Sequence, residues 1–297
     1  MNDCLLRSLL FVPAHNDKLI MSAIRFDADA IVLDLEDSVQ PKSMKQIARD
    51  NVVKYINQGI FKNHRVFVRI NDFQSGESLR DLHQLTIPGI EAFLCSKVKT
   101  GKDVYFFDKL LESIEYEKGF TSGTFLIIPI IETTAAVMNV QDICQASPRV
   151  IAVAFGSEDF ITDMHAIDDK EEQTLFTARN LIVMAARSNN IVPIDAAYVQ
   201  VHDLEGLEKH LIISKKLGFG GISILSPKQL SLANQYFSPS FEEVAEAKEM
   251  LRMSEESEKQ SKGVDIVNNK FVGPPLVERA KNILKKHQLI INKHKNE

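Results

Sequence analysis

Short apolar runs alternate along the chain with longer segments in which apolar residues recur at a helical period. A run such as FLIIPII at 125–131 predicts a strand buried on both faces, as in a parallel sheet. The same pattern predicts strands over residues 8–12, 30–35, 66–71, 92–98, 125–131, 150–155, 192–198 and 221–225. Helices are predicted over residues 17–26, 43–57, 77–85, 102–115, 134–145, 172–189, 205–217 and 227–236.

The strands and helices form consecutive βα units, which implies parallel strands joined by right-handed crossovers. Eight units in about 235 residues match the usual size of a (β/α)8, or TIM, barrel. A doubly wound open sheet is the alternative. It is disfavoured because no GxGxxG follows the first strand and because acidic residues end many strands rather than one switch point. We therefore predict an α/β fold in which residues 1–237 form a (β/α)8 TIM barrel.

The composition changes after the eighth unit. Residues 241–262 predict a polar helix rich in Glu and Lys, residues 263–275 a Gly- and Pro-punctuated connector with little strand character, and residues 276–292 a final helix. A barrel is complete without this segment. We expect the C-terminal helical extension, residues 238–297, to pack on the barrel or on a neighbouring subunit.

Charge, cysteine content and the lack of long apolar runs argue against a nucleic-acid-binding, secreted or membrane protein. A net charge of −5 and the lack of a basic stripe with interleaved aromatic residues argue against nucleic-acid binding. Cys4, Cys95 and Cys144 form no CxxC pair, which indicates a reducing compartment. The apolar N-terminal run follows Asp3 and is interrupted by Arg7, so it does not resemble a signal peptide. No apolar run reaches the roughly 18 residues of a membrane span. We predict a cytoplasmic protein.

Polar side chains follow the apolar strands, at positions that form the active site of a barrel. They are Asp34, Glu36, Asp37, Arg69, Asn71, Lys97, Glu132, Glu158, Asp159 and Asp195, and Arg7 stands at the start of the first strand. Two buried strands that deliver Glu132 and the pair Glu158 and Asp159 indicate the floor of a divalent-metal site. Oxygen ligands without histidine or cysteine suit Mg²⁺ or Mn²⁺ rather than zinc.

Each of these residues also has a structural interpretation. Glu132 and Asp159 could stabilise helix N-termini, where negative charge is favoured. Asp34 and Arg69 could form an ion pair between neighbouring strands, and Asp195 is closer to a structural role. The coincidence of many charges at one barrel end favours function for the group. A serine hydrolase is not supported because no GxSxG elbow is present.

Several motifs follow one another in a recognisable order. They are RSLLFVPA (7–14), ADAIVLDLEDSV (28–39), KQIAR (45–49), VRIN (68–71), PIIET (129–133), FGSEDF (155–160) and GFGG…SPKQ (218–229). With these motifs the chain resembles the citrate lyase β-subunit family, the CoA-ester lyases within the wider HpcH/HpaI aldolase superfamily. The resemblance covers nearly the whole chain.

The resemblance implies a (β/α)8 barrel that assembles into homotrimers or hexamers, with a C-terminal extension that contributes to a neighbour's site. It implies Mg²⁺ bound by Glu132 and Asp159. It also implies that the substrate-binding and catalytic side chains lie together at the open end of the barrel. They are Arg69 near the substrate carboxylate, Glu36 and Asp37 from the LED segment, and Arg7 beside them. Arg69 would clamp the carboxylate with its planar fork. A general base would remove the substrate hydroxyl proton, and an acid would quench the enolate.

Two departures from the family pattern affect proton handling and the CoA-facing region. Gly273 stands where the family has an aspartate that serves as acid or base across the subunit interface. Near strand eight the family commonly has a Gly-Lys pair and Ile-His-Pro, whereas this chain has Gly221-Ile222 and Leu225-Ser226-Pro227. The metal half of the site is intact.

Three functional hypotheses follow. The leading one is a Mg²⁺-dependent carbon–carbon lyase that cleaves a 3-hydroxy acid or its CoA thioester to a 2-oxo acid. The second is a standard CoA-ester lyase in which Glu36 or Asp37 supplies the base. The third is a metal- and ligand-binding homologue, or accessory subunit, with little catalytic activity.

Overall fold

The computed structural model describes residues 4–167, 173–259, 265–267 and 270–296. Eight parallel strands pair in chain order and close into a barrel, which confirms the predicted (β/α)8 fold. The strands are β1 (Ser8–Pro13), β2 (Ala30–Asp34), β3 (Val66–Ile70), β4 (Ala92–Cys95), β5 (Leu126–Ile131), β6 (Ala152–Phe155), β7 (Val192–Asp195) and β8 (Gly221–Ile224).

Helices follow the strands as the apolar periodicity predicts. Those of the barrel are α1 (Asp17–Ala23), α2 (Met44–Asn57), α3 (Ser78–Leu85), α4 (Gly101–Glu117), α5 (Thr134–Met138), α6 (Val140–Gln145), α7 (Ser157–Asp163), α8 (Gln173–Ser188), α9 (Leu204–Leu217) and α10 (Leu230–Tyr236). Single 3₁₀ turns at Phe73–Ser75 and Pro227–Gln229 precede α3 and α10. Residue 172, the predicted start of the sixth long helix, lies outside the described residues.

The single helix predicted over 134–145 is wrong, because the chain forms α5 and α6 with a break at Asn139. The Asn139 side-chain amide donates to the carbonyl oxygens of Ala135 and Lys99, at 2.9 and 3.1 Å. Asparagine competes with the helical backbone in this way. The short helix α7, directly after β6, was not predicted because its seven residues are too few to show a period.

The barrel interior is filled by alternate residues of the strands, which point to one face because side chains alternate along a strand. Leu9, Val32, Phe67, Leu94 and Ile128 are fully buried in this cluster. The burial on both strand faces explains why the strands read as continuous apolar runs. Their carboxyl ends all meet at one end of the barrel, here called the mouth.

The barrel is closed by β8 pairing with β1, so that Ile222 N–H donates to the Arg7 carbonyl oxygen at 3.1 Å. The backbones are in close contact at this seam. A Cβ atom on Gly221 would lie 1.7 Å from the Leu6 carbonyl oxygen. Only glycine permits this approach.

The chain divides into the compact units Met1–Asn234 and Gln235–Glu297, whereas the sequence placed the boundary between 237 and 238. In the second unit α11 (Phe241–Lys259) packs against α12 (Pro274–Asn296). Residues 260–262 of the predicted polar helix and residues 263–264 and 268–269 of the connector lie outside the described residues.

The connector between these helices was predicted to be poor in strands, and this is wrong. β9 (Asp265–Val267) and β10 (Lys270–Val272) pair antiparallel. Both segments contain residue types with strand propensity, Ile and Val in the first and Phe and Val in the second. Within the part of the chain that the structure describes, no helix has the length and apolarity needed to cross a lipid bilayer.

Candidate metal and substrate site

A pocket opens at the mouth of the barrel, among the residues that end or follow the strands. Its charged lining comprises Asp37, Arg69, Glu132, Glu158 and Asp159. Its apolar wall comprises Phe11, Ile130, Ala154, Phe155, Ala197, Val199 and Leu225. The pocket thus joins a cluster of carboxylates and one guanidinium to a hydrophobic wall, which is the composition expected of a small-molecule site.

Glu132, directly after β5, forms the floor of the pocket and is only 2% exposed. Its Oε1 accepts the main-chain N–H of Lys97 at 2.5 Å. On the other side it lies against Gly156, where an added Cβ would come within 2.7 Å of the Glu132 Cβ and 2.9 Å of Oε2. Gly156 therefore leaves the space that the Glu132 side chain occupies.

Glu132 is not the N-cap of the helix that follows it. The N-terminus of α5 is capped by Thr133, whose hydroxyl accepts the Ala136 N–H at 3.1 Å. Asp159 lies in the acidic first turn of α7, so a favourable interaction with that helix is present as well as its place in the pocket.

Two buried carboxyl groups of the mouth, Glu132 and Glu36, have unusual proton affinities. Burial raises the pKa of Glu132 to about 8; the charges of Glu36 and Asp159 add to this rise, and the Lys97 N–H opposes it. Burial also raises the pKa of Glu36 to about 7 against the opposing charge of Arg69. Perturbed carboxyl groups of this kind are typical of functional sites.

Arg69, on β3, is surrounded by the acids that end or follow β2. Its Nε and Nη2 donate to the two carboxylate oxygens of Asp34 at 2.6 and 2.7 Å. Its Nη1 lies 3.0 Å from Glu36 Oε2 and 3.4 Å from Asp37 Oδ2. The structural ion pair between Asp34 and Arg69 therefore exists, and it occupies one edge of the guanidinium fork. A substrate carboxylate that binds Nη1 would therefore have to replace or share the contacts that Glu36 and Asp37 make there.

Arg7 does not lie at the mouth, so the prediction that it binds substrate beside the LED acids is wrong. Its Nε and Nη2 bind the carboxylate of Asp29 at 2.9 and 2.7 Å, and both side chains are buried. Arg7 precedes β1 and Asp29 precedes β2, which places the pair at the opposite, N-terminal end of the barrel. In a parallel barrel the mouth is formed by the carboxyl ends of the strands and the residues that follow them, which a residue before a strand does not reach.

Two further polar residues at strand ends have structural partners. Asn71 donates its main-chain and side-chain N–H groups to Asp81 Oδ2 at 2.9 and 2.7 Å. Asp195 is fully buried and binds the guanidinium of Arg179, as its structural interpretation anticipated. Neither residue lines the pocket described above.

The roles of Gly156 and of the apolar wall that begins with Phe11 were not predicted from the sequence. The wall residues are scattered over several strand ends and share no motif. For Gly156 a signal does exist, because it is the small residue between β6 and the acids Glu158 and Asp159. A glycine at this place indicates that another group approaches the backbone closely.

The residues of the mouth fit a Mg²⁺ ion. Both carboxylate oxygens of Glu36 are buried and form no hydrogen bond, although they make ion-pair contacts with Arg69 and Lys97. The acids Asp34, Glu36, Asp37, Glu132 and Asp159 outnumber these two cations. Within the described ranges no group of three or more His, Cys, Asp or Glu side chains is arranged around a metal position. Mg²⁺ needs only one or two carboxylates because it keeps several waters.

Known proteins are similar in sequence to this chain over most of its length. The HpcH/HpaI aldolase/citrate lyase family model matches residues 7–227. The citrate lyase subunit beta of Haemophilus influenzae is 31% identical over 280 residues, which cover 94% of this chain and 96% of the relative. The L-malyl-CoA/beta-methylmalyl-CoA lyase of Rhodobacter capsulatus is 31% identical over 303 residues, which cover 95% of both chains.

Solved structures show the same fold. A citrate lyase from Burkholderia xenovorans superposes with a TM-score of 0.85 at 19% identity, over 96% of this chain and 92% of the other. A Mycobacterium tuberculosis protein, solved in complex with magnesium, acetoacetate and coenzyme A, superposes with a TM-score of 0.75 at 22% identity, over 94% and 97%. Together with the family model and the sequence relatives, the pocket at the end of the parallel barrel leads to one conclusion. The chain belongs to the HpcH/HpaI aldolase/citrate lyase family.

Proposed function

We propose that the protein is a Mg²⁺-dependent carbon–carbon lyase that cleaves a 3-hydroxy acid, free or as its CoA thioester, to a 2-oxo acid. The observation that carries the proposal is the convergence of Glu132, Asp159 and Arg69 on one pocket at the barrel mouth. The relatives named above are lyases, which favours an enzyme over an accessory subunit with little catalysis.

Glu132 and Asp159 are the residues that would hold the metal. When bound there, Mg²⁺ supplies Lewis-acid polarisation of the oxygen atoms of the hydroxy acid. Glu132 must be ionised to bind it, and its raised pKa means that metal and proton compete for this carboxylate. The Lys97 N–H on Oε1 favours the ionised form and fixes the orientation of the side chain.

Arg69 is placed to recognise the carboxylate of the substrate. Asp34 binds the Nε and Nη2 edge and so fixes the plane of the guanidinium. The Phe11 ring, 5.4 Å from the guanidinium carbon, limits its movement on another side. A fixed fork discriminates by geometry as well as by charge. The apolar wall would exclude water from the part of the substrate that it contacts.

Glu36 and Asp37 remain the predicted proton-handling residues. Cleavage requires a base to take the proton of the substrate hydroxyl while the carbon–carbon bond breaks, and an acid to protonate the resulting enolate at carbon. Asp37 lines the pocket, whereas Glu36 is buried next to Arg69 and Lys97. A pKa of about 7 suits Glu36 to exchange a proton near neutral pH.

The proposal is tested by metal binding and product release with matched variants. Glu132→Gln and Asp159→Asn should lose most of the Mg²⁺ and Mn²⁺ affinity in titration calorimetry, whereas Glu158→Gln, the exposed neighbour, should retain it. Purified wild type with Mg²⁺ should release a 2-oxo acid from one of a panel of 3-hydroxyacyl thioesters and free 3-hydroxy acids. Unchanged metal affinity in both ligand variants would contradict the proposed site, and metal binding without release from any substrate would contradict the lyase.

We also propose homotrimeric or hexameric assembly, as the family resemblance implies. Analytical ultracentrifugation of the full-length protein is the direct test, and a monomer at micromolar concentration would rule it out.

A further inference from the structure

Lys97, in the turn between β4 and α4, has an unusual backbone conformation. Its φ angle is +55°, and the other described non-glycine residues with positive φ are His165 and Asn190. Side chains other than glycine, asparagine and aspartate rarely adopt this left-handed region. A conformation of this kind persists only where the surroundings impose it, and such outliers cluster at functional sites.

Contacts on both sides of Lys97 hold the turn in this left-handed conformation. On one side, the Ser96 hydroxyl donates to the Ile70 carbonyl oxygen of β3 at 3.0 Å. On the other side Val98 is buried, and Asp103 accepts the N–H groups of Lys99 and Thr100, each at 2.8 Å. The turn is thus attached to the barrel before Lys97 and to the start of α4 after it.

The left-handed conformation directs two groups of Lys97 at two different carboxylates. Its main-chain N–H donates to Glu132 Oε1 at 2.5 Å. Its ammonium Nζ lies 3.4 Å from Glu36 Oε1. Glu132 follows β5 and Glu36 follows β2, so a single residue after β4 connects the acids of two separate strands.

We propose that Lys97 is a positioning residue with two separable contributions to the site. The main-chain N–H fixes Oε1 of Glu132 and leaves Oε2 for the metal. The ammonium shares the carboxylate of Glu36 with Arg69 Nη1, so that Glu36 holds Nη1 less tightly and the substrate carboxylate can take its place there. This inference rests on the proposed metal site, and it adds a residue that shapes both metal and anion binding.

Three variants separate the two contributions. Lys97→Met and Lys97→Val both remove the ammonium, but only the β-branched valine strongly opposes a positive φ. Lys97→Arg keeps a cation. The measurements are Mn²⁺ affinity by titration calorimetry, and the affinity of the Mn²⁺-loaded protein for pyruvate as a probe 2-oxo acid.

Lys97→Met should keep wild-type Mn²⁺ affinity within about threefold, because its N–H still meets Glu132, and should bind pyruvate about tenfold more weakly. Lys97→Arg should restore most of the pyruvate affinity. Lys97→Val should bind Mn²⁺ more weakly than Lys97→Met by about 10–100-fold, the usual effect of losing an outer-sphere partner.

Equal Mn²⁺ affinities of the methionine and valine variants would overturn the main-chain contribution. Wild-type pyruvate affinity in Lys97→Met would overturn the ammonium contribution. If Lys97→Val does not fold, Lys97→Gly and Lys97→Ala give the same contrast, since both lack the ammonium and only glycine accepts positive φ without strain. A wild-type protein that binds no Mn²⁺ refutes the proposed function itself, and so is distinct from failure of this inference alone.

Discussion

Replacing Gly156 by alanine tests the geometry of the metal site with a single methyl group. The backbone at Gly156, with φ −108° and ψ 90°, is accessible to alanine, so the substitution changes only the space available. The new Cβ would lie 2.7 Å from the Glu132 Cβ and 2.9 Å from Oε2. Ordinary carbon contacts are about 3.5–4.0 Å, so one of the two groups must move by roughly 1 Å.

The closest atom, the Glu132 Cβ, moves only together with its backbone, so relief of the contact shifts the main chain at Glu132 or Gly156 and displaces the Glu132 carboxylate. Gly156 N–H donates to the Ile131 carbonyl oxygen at 3.0 Å, which holds the backbones of β5 and β6 together. The side chains of a binding site must be held within ~0.5 Å of their productive positions, and a shift of roughly 1 Å exceeds this tolerance. We expect Mn²⁺ affinity to fall about 10–100-fold, or ~1.4–2.7 kcal/mol. The folding free energy should fall by about 1–3 kcal/mol, as for other overpacked sites.

The assay is Mn²⁺ calorimetry together with urea unfolding in EDTA, with Gly119→Ala as the matched control. Gly119 has φ +76°, and a Cβ added there would meet no other group within 4 Å. Alanine at this position should therefore reduce stability by about 1 kcal/mol, through backbone strain alone, without affecting the metal. If Gly156→Ala loses stability but binds Mn²⁺ as tightly as wild type, the assignment of Glu132 as a ligand in this orientation is refuted.

Three more predictions concern charge. Arg69→Lys should weaken pyruvate binding to the Mn²⁺-loaded protein about tenfold although the charge is kept, since lysine cannot reproduce the fork held by Asp34; equal affinity in calorimetry would contradict this. In the metal-free protein the pKa of Glu132, about 8, lies above its ordinary 4.5, so stability should fall as pH rises through this interval. The urea concentration at the unfolding midpoint, measured in EDTA at several pH values, should change less with pH in Glu132→Gln than in wild type. Gly273→Asp should raise malyl-CoA cleavage, up to about 10²-fold if an acid is restored; high wild-type cleavage would show that another residue handles the proton.

The fold could be predicted because the barrel strands are buried on both faces. Burial of that kind leaves an unbroken apolar run in the sequence, and the run ends where the polar mouth begins. Glu132, Asp159, Arg69, Glu36 and Asp37 were found for this reason, since each belongs to or follows a strand that the pattern marks. The same rule, applied to a residue before a strand, would have placed Arg7 at the opposite end.

Other features depend on contacts that one sequence does not display. The break at Asn139 arises from a side-chain hydrogen bond to the helix backbone. The role of Gly156 depends on how closely β5 approaches β6, and the positive φ of Lys97 runs against the preference of lysine. The antiparallel strands β9 and β10 have three residues each, which is too few to show a clear alternation. At Asn139, Gly156 and Lys97 a tertiary or side-chain contact determines the structure, whereas β9 and β10 agree with local propensity and were missed because they are short.

The seam between β8 and β1 determines when the nascent chain can complete its fold. The first strand has one neighbour, β2, soon after synthesis, but its other neighbour follows only with Gly221–Ile224. That is roughly 210 residues later, or roughly 10–40 s at about 5–20 residues per second of translation. During this interval the sheet is open, and the unpaired backbone groups of β1 form an exposed edge of the kind that aggregates. The barrel can close, and this edge can be covered, only after its last strand has left the ribosome.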